Sequence, residues 1–69
     1  MKPMTPSPRL TPREVEILLC IRTGMTIREM AREKGLRIEH VRMYIRNVCH
    51  KYGAVNRAHL LVLLAWRGN

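Results

Sequence analysis

The sequence has few aromatic and few acidic residues. It holds no phenylalanine, one tryptophan and two tyrosines in 69 residues, too few for a protein that stacks single-stranded bases on aromatic side chains. Only 5 acidic residues stand against 13 lysines and arginines, so that the net charge is +8. This charge favours a polyanionic partner, either nucleic acid or an anionic membrane surface, and we expect nucleic acid.

Several patterns typical of chemical sites are also missing. Cys20 and Cys49 form no metal-type CxxC pair, so we expect them to be buried or half-buried free thiols in a reducing cytosol. His40, His50 and His59 do not have metal-ligand spacing. No glycine-rich phosphate loop and no nucleophile–base pair occurs. We therefore expect no enzyme activity, no metal, no cofactor and no small-molecule ligand.

Long apolar runs are absent too. No stretch of about 18 apolar residues could span a bilayer, and the first residues lack the apolar core of a signal peptide. We expect a cytoplasmic protein associated with the nucleoid. Residues 1–9 hold three prolines without periodicity, which predicts a flexible arm before a single domain at 10–69. A domain this small buries only about 60% of its unfolded surface, so subunit association would add stability.

Two helix starts share one pattern, a threonine followed three residues later by a glutamate. Thr11 with Glu14 and Thr26 with Glu29 are both spaced as capping boxes. The first helix is predicted to end at residue 22 or 23, before Gly24, and the second near residue 34. The apolar spacing predicts that the inward residues are Ile17, Leu18 and Ile21 on the first helix and Met30 and Ala31 on the second.

The stretch from Arg37 to Lys51 holds the third predicted helix, at about 38–51, and has two different faces when placed on a helix. One face carries Val41, Tyr44, Ile45, Val48 and Tyr52. The other carries Glu39, Arg42, Met43, Arg46 and His50. A turn of only three residues that begins with a glycine separates this helix from the second, which is the helix-turn-helix spacing. A packed back and an arginine-bearing front suit a helix that reads a DNA groove.

The fourth predicted helix is apolar all the way round. It begins after Asn56, a candidate cap, and runs from Arg57 to about Arg67. Three other helices can cover only one of its sides, so we predict a homodimer through it. The interface residues that we expect are Leu60, Leu61, Leu64 and Ala65. Val15 and Leu19 lie one turn apart on the first helix and are a candidate second protein-contact surface.

These motifs together resemble the LuxR/FixJ-type, GerE-like, DNA-binding domain. The resemblance rests on LTPRE at 10–14, NxxxKxG at 47–53 and NR at 56–57, and it covers residues 10 to about 65. It implies an all-α fold, a four-helix LuxR-type helix-turn-helix bundle. In that family the third helix reads the major groove and the fourth often forms the dimer interface. This chain would be a free-standing version.

The resemblance also implies which side chains meet DNA. Arg42, Met43 and Arg46 occupy the base-contacting positions. The positions that contact phosphates are those of Arg28, Lys51 and Arg57. Arg37 stands where the family usually has a small capping residue, so we expect an uncapped third helix and a further phosphate contact from Arg37.

These observations predict a sequence-specific regulator of transcription that binds double-stranded DNA as a homodimer. Two third helices would enter successive major grooves, with half-sites roughly 34 Å apart. The alternative is a small protein-interaction module that binds RNA polymerase or another regulator. An amphipathic membrane binder is disfavoured, because the basic helix and the most apolar helix are different segments.

Overall fold

A computed structural model describes residues 9–68 of the protein. The predicted arm at 1–9 lies outside these residues except for Arg9. The described chain is all-α and has no strand. Its four helices are α1 (Pro12–Arg22), α2 (Ile27–Lys34), α3 (Ile38–Tyr52) and α4 (Arg57–Gly68). The predicted four-helix fold is confirmed, and none of these helices is long and apolar enough to cross a lipid bilayer.

Reciprocal capping boxes open α1 and α2. The Thr11 hydroxyl accepts from the Glu14 backbone N–H at 3.2 Å, and a Glu14 carboxylate oxygen accepts from the Thr11 N–H at 2.9 Å. Thr26 and Glu29 repeat the arrangement at 3.1 and 2.8 Å. Each box satisfies backbone donors that a helix start leaves free. Both predicted starts are confirmed.

Left-handed glycines end α2 and α3. Gly35 has φ 66° and Gly53 has φ 73°, a conformation in which a side chain would be strained. The next N–H in each case donates back into the helix, from Leu36 to the Ala31 carbonyl and from Ala54 to the Cys49 carbonyl, both at 2.8 Å. These bonds reverse the chain sharply. The turn between α2 and α3 is therefore short and fixed in direction.

The third helix is the centre of the bundle, because it contacts all three other helices. The residues predicted to face inward on α1 and α2 are buried, and so are Val41 and Val48 of α3. Both cysteines are free and buried, as expected. The apolar core contains Ile17, Leu18, Cys20, Ile21, Met30, Ala31, Val41, Val48, Cys49, Leu60 and Leu64.

An ion pair between the buried Glu14 and the partly exposed Lys51 ties α1 to α3. The Lys51 ammonium donates to a Glu14 carboxylate oxygen at 2.7 Å and to the Arg9 carbonyl at 3.1 Å. Glu14 is 5% exposed, and it is the one buried charged residue in the described chain. The hydrogen bond from Lys51, aided by the Thr11 N–H, lowers the pKa of Glu14 below its ordinary value. The pair fixes the end of α3 against the start of α1.

The fourth helix covers the core with one side only. Leu60 is fully buried and Leu64 is 7% exposed, both within the protomer's own core. This placement corrects the predicted dimer interface, because neither leucine is available to a partner. The other side is exposed at Leu61, Val62, Ala65 and Trp66. A pattern that is apolar all round could not show which side packs inward.

Candidate nucleic-acid interface

The candidate reading face is the exposed side of α3. Arg42 and Arg46 lie one turn apart, and Met43, 38% exposed, lies beside them. Val41 and Val48 hold the opposite side of the helix in the core. Both guanidinium groups lack a hydrogen-bond or ion-pair partner among the described residues. Their donors remain available to an external acceptor, and an arginine fork matches the O6 and N7 atoms of guanine.

Two further arginines are exposed near the start of this face. Arg28 lies in the first turn of α2 and Arg37 lies directly before α3. Arg37 has the extended backbone of a capping residue, with φ −80° and ψ 153°, but its side chain makes no capping hydrogen bond. The expected loss of the cap is confirmed. The first N–H groups of α3 therefore lack a side-chain acceptor from Arg37.

Lys51 and Arg57 already use donors within the protomer. Lys51 is paired with Glu14 as described above, and an Arg57 Nη1 group donates to the Met25 carbonyl at 3.3 Å. Arg57 thereby links the start of α4 to the turn between α1 and α2. The structure gives these two residues positioning roles in the bundle that the sequence analysis did not assign. Their partners lie 37 and 32 residues away along the chain, so no local pattern signals them.

Two side-chain hydrogen bonds shape the turn from α3 into α4. The Asn56 side-chain oxygen accepts from the His59 N–H at 2.8 Å, which confirms the predicted cap. The His59 imidazole Nδ1 accepts in turn from the Val55 N–H at 3.0 Å. This second bond was missed, because histidine is not a usual partner in a capping box. These two bonds fix the path of the turn beside the reading face.

The family comparison agrees with this geometry. Residues 8–64 match the model of "Bacterial regulatory proteins, luxR family". The chain belongs to the luxR family of bacterial regulatory proteins. The match covers all of α1, α2 and α3 and most of α4. The family resemblance read from the sequence motifs is confirmed, and this family is a regulatory one and not a class of enzymes.

Similar proteins include two longer HTH-type transcriptional regulators. The chain is 41% identical over 49 residues to the HTH-type transcriptional activator RamA of Corynebacterium glutamicum, covering 71% of this chain and 17% of RamA. It is 35% identical over 65 residues to the probable HTH-type transcriptional regulator GfsR of Streptomyces halstedii, covering 94% of this chain and 26% of GfsR. The chain thus spans 17% and 26% of the length of these two relatives.

A solved structure is similar over almost the whole chain. It is the crystal structure of Vibrio cholera VqmA in a complex with ligand and DNA. The TM-score is 0.85 at 31% identity, and the match covers 99% of this chain and 30% of the VqmA chain. The four-helix arrangement of this luxR-family chain is therefore shared with a protein that was solved on DNA.

Proposed function

We propose that this LuxR-type DNA-binding regulator domain inserts α3 into the major groove of double-stranded DNA and reads base edges with Arg42, Met43 and Arg46. The observation that carries the proposal is the pair of exposed, partnerless arginines on the side of α3 opposite its core face. A bidentate arginine–guanine contact discriminates against other bases by about 1–3 kcal/mol. Such a regulator of transcription acts in the cytoplasm, on the nucleoid.

The phosphate contacts follow from charges that the protomer leaves free. Arg28 and Arg37 are exposed and have no partner among residues 9–68. They supply full positive charges to the DNA backbone, Arg28 from the first turn of α2 and Arg37 from the residue before α3. Lys51 and Arg57 contribute through any donors that their internal partners leave free. Arg37 also places a cation beside backbone N–H groups at the start of α3, which is where a phosphate oxygen is favoured.

Dimerisation through α4 completes the proposal. The exposed side of α4 presents Leu61, Val62, Ala65 and Trp66, and Trp66 is 78% exposed. An apolar stripe of this kind on a small basic domain is typical of a protein–protein interface. A second copy of the chain packs its own stripe against it by twofold symmetry. The two α3 helices then meet half-sites about 34 Å apart.

A binding-site selection on random duplex DNA at stated salt tests the reading face. Arg46→Ala is expected to change the selected sequence at one position in each half-site. Arg28→Ala is expected to weaken binding to all sequences alike and to reduce the salt slope of log K by about one. If neither variant alters duplex binding, the placement of α3 in DNA is wrong.

A protein-interaction function is the second candidate, and one observation favours it. Val15 and Leu19 are 41% and 56% exposed on the outer side of α1, one turn apart. This surface would dock on RNA polymerase or another regulator. The change of both residues to glutamate is expected to leave duplex binding intact and to weaken binding to purified RNA polymerase. Unchanged binding to the polymerase would remove this candidate.

A further inference from the structure

A groove lies beside the reading face, between α3 and the turn into α4. Its volume is about 350 Å³, within the range of cavities that hold small molecules. Its walls come from the start of α2, residues 42–50 of α3, the α3–α4 turn and the first residue of α4. These segments are separate in the sequence, so the groove exists only in the folded chain. No local sequence pattern indicates such a groove, and the sequence alone led us to expect no small-molecule ligand.

The floor of the groove is apolar. Ile27, Ile45 and Ala54 line it and pack against the core, and Cys49 is 6% exposed beneath them. Burial raises the pKa of the Cys49 thiol, so the thiol stays neutral and adds to the apolar surface. Val55 lines one edge and is 81% exposed. The floor therefore continues the core outward to a large apolar side chain that nothing in the described chain covers.

The rim of the groove carries three arginines. Arg42, Arg46 and Arg57 line it beside His50, and no acidic side chain does. The bond from Arg57 to the Met25 carbonyl holds its guanidinium in place. Arg42 and Arg46 have free donors, as described above. Convergent cations without a carboxylate among them favour an anionic group at the rim.

We propose that this groove binds a small amphipathic anion, with its carboxylate on the rim arginines and its aliphatic chain along the floor. A DNA phosphate would satisfy the rim, but the sugar–phosphate backbone offers little apolar surface to the floor. An aliphatic carboxylate meets both parts, because about 25 cal/mol is gained for each Å² of apolar surface that leaves water. A small number of polar groups above an apolar floor is typical of sites that bind small molecules.

The site has a consequence for DNA binding. Arg42 and Arg46 belong both to the rim of the groove and to the proposed reading face. A bound carboxylate therefore competes with base edges for the same donors, and the two ligands weaken each other by the same factor. This consequence rests on the proposed function, whereas binding of the anion to the groove does not.

Titration with decanoate, below its micellar concentration, tests the site. Backbone amide NMR shifts are expected at Ile45, Cys49 and Val55 and not on α1. Decanol and inorganic phosphate, which each carry half of the required chemistry, are expected to bind at least about tenfold more weakly, a loss of about 1.4 kcal/mol. Val55→Ser is expected to weaken decanoate binding about threefold. The matched control is Val15→Ser on α1, which leaves it unchanged.

Three outcomes would overturn the site: decanol binding as well as decanoate, phosphate binding as well as decanoate, or equal effects of the two serine variants. The effect on DNA binding is measured separately, as displacement of a labelled duplex by decanoate. If decanoate occupies the groove without displacing DNA, the groove site stands, and the reading role of Arg42 and Arg46 is contradicted.

Discussion

At the scale of single residues, Glu14 is the buried charge on which acid stability depends. Its lowered pKa means that folding favours the carboxylate. The stabilisation is therefore present above the ordinary pKa of a glutamate and is lost as pH falls through the lowered pKa of the folded state. Protonation removes the charge that Lys51 pairs with. The link between the start of α1 and the end of α3 is expected to weaken in acid.

Glu14→Gln tests this dependence. The amide oxygen can still accept from the Thr11 N–H, but the charge opposite Lys51 is gone. Because Lys51 is partly exposed, the expected loss of unfolding free energy at neutral pH is about 1–2 kcal/mol, between the values for surface and buried pairs. Urea unfolding at neutral and acid pH measures it. The control is Glu16→Gln, which breaks the exposed Arg13 pair at 3.1 Å and should cost below about 0.5 kcal/mol.

The Glu14 variant is expected to show a smaller fall in stability between neutral and acid pH than the unaltered chain. An equal fall in both proteins would show that other carboxylates set the acid response. Glu14 was predicted from the sequence as a capping residue, and it is one. Its second role was not predictable, because the pairing with Lys51 exists only after α1 and α3 have packed.

The salt dependence of DNA binding separates free charges from paired ones. Each cation that neutralises a phosphate adds about 0.9 to the slope of log K against log salt. Arg28 is free, whereas the Lys51 ammonium is held by Glu14 and the Arg9 carbonyl. Arg28→Ala is therefore expected to reduce the slope by about one, and Lys51→Met to lower affinity with little change of slope. A full unit lost in the Lys51 variant would show that Lys51 neutralises a phosphate in spite of its internal partners.

At the scale of elements, local sequence chemistry set most helix boundaries. Threonine–glutamate boxes predicted the starts of α1 and α2, and Gly24 predicted the end of α1, because caps depend on residues within one turn. The exposed side of α3 was predictable for the same reason, since periodicity alone defines it. The periodicity of α4 could not show which of its sides packs into the core, because that depends on where the other helices lie.

Because the start of α3 is uncapped, one substitution there is expected to raise stability and to weaken DNA binding. The backbone of Arg37 is already extended, as a cap requires, and only an accepting side chain is missing. Arg37→Ser is expected to raise the unfolding free energy by about 1 kcal/mol. It should also weaken DNA binding, because the proposed phosphate contact is removed. Thermal unfolding and duplex titration measure the two effects.

The reference for this change is Thr26→Ala, which removes an existing capping box from α2. It is expected to lower stability by about 1 kcal/mol. A stabilised Arg37→Ser protein that binds DNA as tightly as the unaltered chain would contradict the phosphate contact. A protein that gains no stability would mean that other acceptors already satisfy the start of α3.

At the scale of the whole molecule, α4 has one apolar side in the core and a second apolar side that is exposed. Its inward side supplies Leu60 to the core, and its outward side leaves Leu61 and Trp66 40% and 78% exposed. Leu60→Ala is expected to destabilise the protomer by about 2–5 kcal/mol, since it opens a cavity in a packed core. Glutamate at an outward position meets water and should leave the protomer folded.

The double change of Leu61 and Trp66 to glutamate therefore separates folding from assembly. For the proposed dimer, sedimentation is expected to show a dimer for the unaltered chain and a folded monomer for the variant, because like charges would face each other across the twofold axis. Loss of one reading helix should lower affinity for an inverted-repeat duplex by roughly 100-fold, as linked binding is lost. Affinity for a single half-site should not change. A double variant that stays dimeric would place the interface elsewhere on the protomer, and α4 would need another partner for its exposed side.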